Sequence, residues 1–136
     1  MDERDKLLEE RLLRAAEQFN TGFWYECHET LEEIWVSAVG ELRDFCQGFL
    51  QFSVAIYKWK NGSFDSAIRL LERGDTYLSR VSPVFYGFDV HGLRIAGGRM
   101  RDELVSLGEK RMGEMDIHLI PRIKVMTLGK HTLKPI

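Results

Sequence analysis

No apolar run in the sequence approaches the ~18 residues that a membrane-spanning helix requires, so no segment is expected to cross a bilayer. Neither sign of charge dominates. Nineteen basic and 21 acidic residues leave a formal net charge of −2, and no global field favours nucleic acid or an anionic membrane surface. Cysteine is scarce. Cys27 and Cys46 are the only two, with no C-x-x-C spacing between them. Both project onto apolar helix faces, where reduced core thiols are the expected state, and a zinc site drawing on both lacks the usual spacing. The start, Met1-Asp2-Glu3-Arg4-Asp5-Lys6, is charged and leads into an amphipathic segment rather than a signal-peptide apolar region. Together these absences point to a cytoplasmic chain with no membrane or nucleic-acid partner.

What is present is a helical pattern in a chain of one domain's length, with 44% hydrophobic residues, enough for a core without disulfide staples. Asp2 to Phe19 carries Leu7, Leu8, Leu12, Ala15, Ala16 and Phe19 amid mixed charge and reads as a first helix. Asn20-Thr21-Gly22 ends it. A second helix spans Phe23 to Val39, and Gly40 breaks it. A third, from about Glu41 to Lys60, is apolar over most of its circumference, as a helix in the middle of a bundle is. Asn61-Gly62-Ser63 makes the next turn, a fourth helix runs from Phe64 to Arg80, and Ser82-Pro83 stops it. Phe85-Tyr86-Gly87-Phe88 reads as an aromatic loop plugging the bundle. Asp89 caps a fifth helix from Val90 to about Leu107, in which Gly97-Gly98 allows close packing. After Gly108 the periodicity fades, and Ile117 to Val125, around Pro121, suggests extended chain. The expectation is an all-α bundle over residues 1–108 and a tail over residues 109–136 laid on the bundle or on a partner.

The chemistry concentrates in Glu26-Cys27-His28-Glu29-Thr30-Leu31-Glu32-Glu33-Ile34-Trp35. On an ideal helix, at about 100° per residue, Trp24, Cys27, Leu31, Ile34, Trp35 and Ala38 share one arc. His28 and then Glu32 follow at its margin, while Glu26, Glu29 and Glu33 face water. The i,i+4 spacing puts the imidazole and the Glu32 carboxylate within contact distance. In one reading they form a satisfied polar pair at the rim of the core. In the other they are two ligands of a metal ion such as zinc or manganese, for which a third must come from elsewhere. The metalloprotease H-E-x-x-H motif is absent, because its second histidine is missing. Glu29 is a general-base candidate only if the helix is rotated from this wheel. On the polar strip of the third helix, Gln47 and Gln51 stand one turn apart, either solvated or pointing at the His28/Glu32 edge to bind a ligand or the histidine. His91, His118 and His131 stand in no ligand-spaced cluster and read as surface histidines.

Phe19, Gly22, Trp24, Cys27 and Leu31 are matched forty residues later by Trp59, Gly62, Phe64, Ala67 and Leu71. Aromatic, glycine, aromatic, small, leucine is a helix–turn–helix pattern that resembles tetratricopeptide-type repeats. Two stacked hairpins closed by a fifth helix follow. His28 aligns with Ile68, so the histidine is no part of the repeated packing.

Phe19-Asn20-x-Gly22, Glu26-Cys27-His28-Glu29-x-Leu31-Glu32-x-x-Trp35 and Arg43-x-x-x-Gln47-Gly48-x-x-Gln51 together resemble an uncharacterised bacterial and archaeal family, domain of unknown function 309. Its H-x-x-x-E-x-x-W/Y motif is matched by His28, Glu32 and Trp35, and the resemblance extends through Asn61 to Leu78. It implies a small multihelical bundle and a metal-binding role for the His/Glu pair; Trp35, Gln47 and Gln51 are the cofactor-binding candidates read beside that pair. No substrate or reaction comes with it. Three functions remain open: a metal-dependent enzyme of the hydrolase type, in which His28 and Glu32 hold the ion; a non-catalytic helical interaction module with a protein partner; and a structural His–Glu pair in a homo-oligomer.

Overall fold

The computed structural model describes residues 2–125. It is an all-α bundle: α1 (Glu3–Asn20), α2 (Trp24–Trp35), α3 (Gly40–Lys60), α4 (Phe64–Leu78) and α5 (Val90–Leu107), with a small hairpin of β1 (Val84–Phe85) and β2 (Phe88–Asp89) before α5. Each helix packs on its neighbour in the chain, α1 on α2, α2 on α3, α3 on α4 and α4 on α5. Among the described residues no helix is long and apolar enough to cross a membrane.

The forty-residue repeat has a backbone cause. Gly22 and Gly62 both have positive φ, +86° and +79°. Each follows a helix end closed in the same way. The Phe23 amide donates to the Gln18 carbonyl and that of Gly22 to Phe19, and Ser63 donates to Lys58 and Gly62 to Trp59. This is the Schellman closure, which needs a left-handed residue just past the helix, where a side chain is disfavoured. The next repeat positions are packing positions. Cys27 and Ala67 are fully buried, and Leu31 and Leu71 nearly so. The two hairpins α1–α2 and α3–α4 therefore start from equivalent turns and bury equivalent residues.

Between the hairpins, α2 ends at Trp35, not at Val39. The apolar stripe continues to Ala38, which is buried, but Val36 and Val39 are exposed and the backbone turns away. The Arg43 guanidinium takes up the loose end, donating to the carbonyls of Trp35 (3.1 Å) and Ala38 (3.3 Å). Unsatisfied carbonyls at a helix C-terminus favour such a cation.

The core runs along α3, where Phe45, Phe49 and Phe52 are completely buried. The aromatic segment forms a hairpin rather than a loop, with Tyr86 and Gly87 at positive φ between the strands, as two-residue hairpin turns require. It seals one end of the core: the Phe88 ring lies 5.0 Å from Phe45 and 6.0 Å from Phe49. On the other flank α3, α4 and α5 converge on Phe52. A methyl group added at Gly74 or Gly97 would lie within 2.5 Å of its ring.

Past Gly108 the chain forms two 3-10 helices, Glu109–Glu114 and Ile117–Leu119, before it extends. Such short helices leave no periodic trace in a sequence. Met112, Met115, Ile123 and Val125 join the same buried cluster as the helices. Asn20 clamps the extended part, donating to the Ile123 carbonyl (3.0 Å) and accepting from its amide (2.7 Å). His131 lies outside the described residues.

Candidate functional site

Helix α2 presents its side chains as the wheel requires. Cys27, Leu31 and Ile34 are buried, His28, Trp24 and Trp35 are partly buried, and Glu26, Glu29, Glu32 and Glu33 are exposed. Thr30 is also buried, its hydroxyl donating to Gln18 Oε1 on α1 (2.7 Å). The His28 and Glu32 side chains do meet, Nε2 to Oε2 at 3.0 Å, with 22% and 56% of their surfaces exposed. The pair thus sits at the rim, with its carboxylate in water.

Contacts to α3 frame this pair at both ends. At one end the Tyr25 ring packs on Tyr57 (5.4 Å) and on the His28 ring (5.5 Å). At the other the Arg43 guanidinium stacks 4.0 Å over Trp35. The two helices run antiparallel, so the stretch of α2 from Tyr25 to Trp35 faces the stretch of α3 from Tyr57 to Arg43. Along the two helices, His28 and Glu32 lie between those contacts on α2, and Gln47 and Gln51 lie between them on α3. The two glutamines bond each other, Gln51 Nε2 donating to Gln47 Oε1 at 2.8 Å.

The frame is incompletely satisfied. His28 Nδ1 and Gln51 Oε1 are both shielded from solvent and have no hydrogen-bond partner. In the neutral imidazole, the nitrogen facing the carboxylate carries the proton and the other is an acceptor. Gln51 already donates through its nitrogen. In that tautomer both orphan atoms are acceptors, and each such atom costs about 1–3 kcal/mol when left unmade.

As a metal centre the constellation is short of donors. Zinc takes three or four protein ligands, and among the described residues no group of three or more His, Cys, Asp or Glu side chains is placed to hold an ion. His118 pairs with Asp116 on the open surface, and His91 is exposed. Cys27 and Cys46 are free and buried. Burial pushes both thiols up to about 12, which removes the thiolate needed for ligation or attack. Glu29 points to solvent, as the unrotated wheel requires. Cavities of about 240, 330 and 440 Å³ are lined by other residues and touch neither His28 nor Glu32.

Tyr25, Tyr57 and the Arg43–Trp35 stack are the members of this face that spacing did not single out as a group. Tyr25 does stand one turn before His28, which is the signal that could have included it. No curated protein matches the chain. Residues 12–70, which run from the middle of α1 into α4 and include His28, Glu32, Trp35, Gln47 and Gln51, match the family described as Domain of unknown function (DUF309).

Proposed function

We propose that this protein is a non-catalytic helical binding module whose α2/α3 face takes a peptide segment bearing lysine or arginine. The observation that carries the reading is the pair of buried acceptors, His28 Nδ1 and Gln51 Oε1, left without donors inside one aromatic frame. Atoms kept in that state ask for N–H groups. The charge around them agrees. Helix α2 carries Glu26, Glu29, Glu32 and Glu33 and no lysine or arginine. The tyrosine faces add a surface on which a cation is attracted to the ring. Tyr25 is half-exposed and covers His28, so its rotation off the imidazole is the movement that admits the ligand. Trp35, held by Arg43, closes the far end.

The test is calorimetric titration of the full chain with a short arginine/lysine peptide and with its glutamate/aspartate counterpart, alongside elemental analysis of protein purified without added metal. Saturable binding of the basic peptide alone is expected, weakened about tenfold or more in His28→Ala or Glu32→Gln, the equivalent of ~1.4 kcal/mol. Equal response to the acidic peptide, or affinity untouched by either substitution, overturns the reading. Stoichiometric zinc or manganese that is lost in His28→Ala overturns it in favour of a metal-dependent function for the same pair.

A further inference from the structure

One cavity lies away from the α2/α3 frame, where the α1–α2 turn, the end of α3 and the extended segment after the second 3-10 helix meet. Its volume, about 330 Å³, falls at the lower end of small-molecule sites. Phe19, Trp24, Trp59, Ile117, Ile120 and Pro121 give it an apolar wall, so the body of an occupant is apolar.

The polar groups around it are unbalanced. Asn20 spends both ends of its amide on the Ile123 backbone. The Trp59 indole N–H is spent on the Met112 carbonyl at 2.8 Å. The Trp24 indole N–H is shielded from solvent and has no partner. Lys60 stands in the lining beside Arg122, whose own contacts engage it, and no aspartate or glutamate lines the cavity. Indole and ammonium groups donate only. What the cavity has left to offer is donors and positive charge, in a chain whose net charge is negative. The first turn of α2 adds to this, because its N-cap, Phe23, supplies no side-chain acceptor.

The repeat shows that the unpaired N–H is not a packing requirement. Trp24 is equivalent to Phe64 in the second hairpin, after the same Schellman turn. A phenyl ring serves there, whereas the first hairpin carries an indole and buries a donor at a cost of about 1–3 kcal/mol. A native buried donor without a partner calls for a reason beyond packing.

We infer that this cavity binds a small monocarboxylate with a flat apolar body, of the aryl carboxylate class. Its carboxylate takes the Trp24 N–H and the Lys60 ammonium, and its ring lies against the aromatic wall. Trp24 is only partly buried, and a turn of its ring presents the N–H to the cavity.

The experiment follows the three indole N–H resonances of the full-length ¹⁵N-labelled chain during titration with benzoate and with indole-3-carboxylate. The corresponding primary amides and inorganic phosphate serve as controls. The expected result is a saturable shift of the Trp24 resonance with the carboxylates only, while the Trp35 resonance stays still. Trp24→Phe, which copies the packing of the second hairpin, should weaken binding about tenfold, and Lys60→Gln on the exposed rim by a similar factor. No saturable shift, an equal response to the amides or to phosphate, or full affinity in Lys60→Gln overturns the proposal. Lys60→Gln alters only an exposed side chain, so it decides the matter even if Trp24→Phe does not fold. Since none of these residues belongs to the α2/α3 frame, failure of the peptide titration leaves this result intact, and the reverse.

Discussion

Along its α4 side, α3 meets its neighbour through Gly48 and Gly74, and a methyl group added at either would strike a side chain of the other helix. Along its α2 side it meets its neighbour through two glutamines, an imidazole and a carboxylate, with two acceptors unmatched. The same helix thus has one flank close-packed to the limit and one flank held below its best stability. Close packing gains dispersion contacts and excludes water. Leaving buried acceptors unmatched does the opposite and is tolerated where function asks for it. The difference separates what this fold needs in order to stand from what it keeps in reserve.

The contrast breaks first at the glycine flank, where the largest effect is expected. A Cβ at Gly74 lies 2.4 Å from the Phe52 ring and 3.1 Å from the Gly48 carbonyl. Helix propensity favours alanine over glycine by about 1 kcal/mol, but the clash involves a fully buried ring and a backbone atom and wins. Gly74→Ala should therefore destabilise the protein by a net ~1–3 kcal/mol in urea denaturation. Gly98, on α5, has nothing within 4 Å of its added Cβ, so Gly98→Ala should stabilise by up to ~1 kcal/mol. The same sign for both substitutions would remove the packing account.

The α2 flank gives a smaller effect of opposite sign. Gln51→Met keeps the length of the side chain and removes the orphan acceptor, and Gln47 is only partly buried, so water can replace its lost partner. Stability should rise by about 1 kcal/mol, while binding of the basic peptide falls. A variant that loses stability would show that the Gln47–Gln51 bond is needed for folding and that this flank is no reserve.

Much of the fold was legible because its signals are local. Gly22 and Gly62 mark helix ends through a backbone need that the residue type announces, and Asp89 marks a helix start, its carboxylate accepting from the Gly92 amide. The His28–Glu32 contact was legible too, since i,i+4 geometry is fixed by the helix alone. What was not legible crosses between helices. Arg43 takes up the end of α2 three residues before the apolar pattern stops at Ala38, and no spacing within α2 records that competition. Gln47 and Gln51 stood out as a polar strip, but their preference for each other over His28 depends on how α2 and α3 are set. The small segments Glu109–Glu114 and Ile117–Leu119 repeat too few residues to show a period.

The smallest effect is the sharpest test of the comparison, because it concerns the pair on which the function rests. If His28 and Glu32 served folding, their coupling would be large, as in buried pairs whose breakage strands a charge. Here the carboxylate is more than half exposed, and water competes for it throughout. Exposed i,i+4 pairs contribute about 0.3–0.5 kcal/mol. A double-mutant cycle with His28→Ala, Glu32→Ala and the double variant should return a coupling of that size in denaturation. The same cycle, read by affinity for the basic peptide, should return a larger one, since the ligand excludes the water that weakens the pair in the free protein. A folding coupling well above ~1 kcal/mol, with no coupling in binding, would make the α2 flank structural like the glycine flank and leave α3 with no functional side.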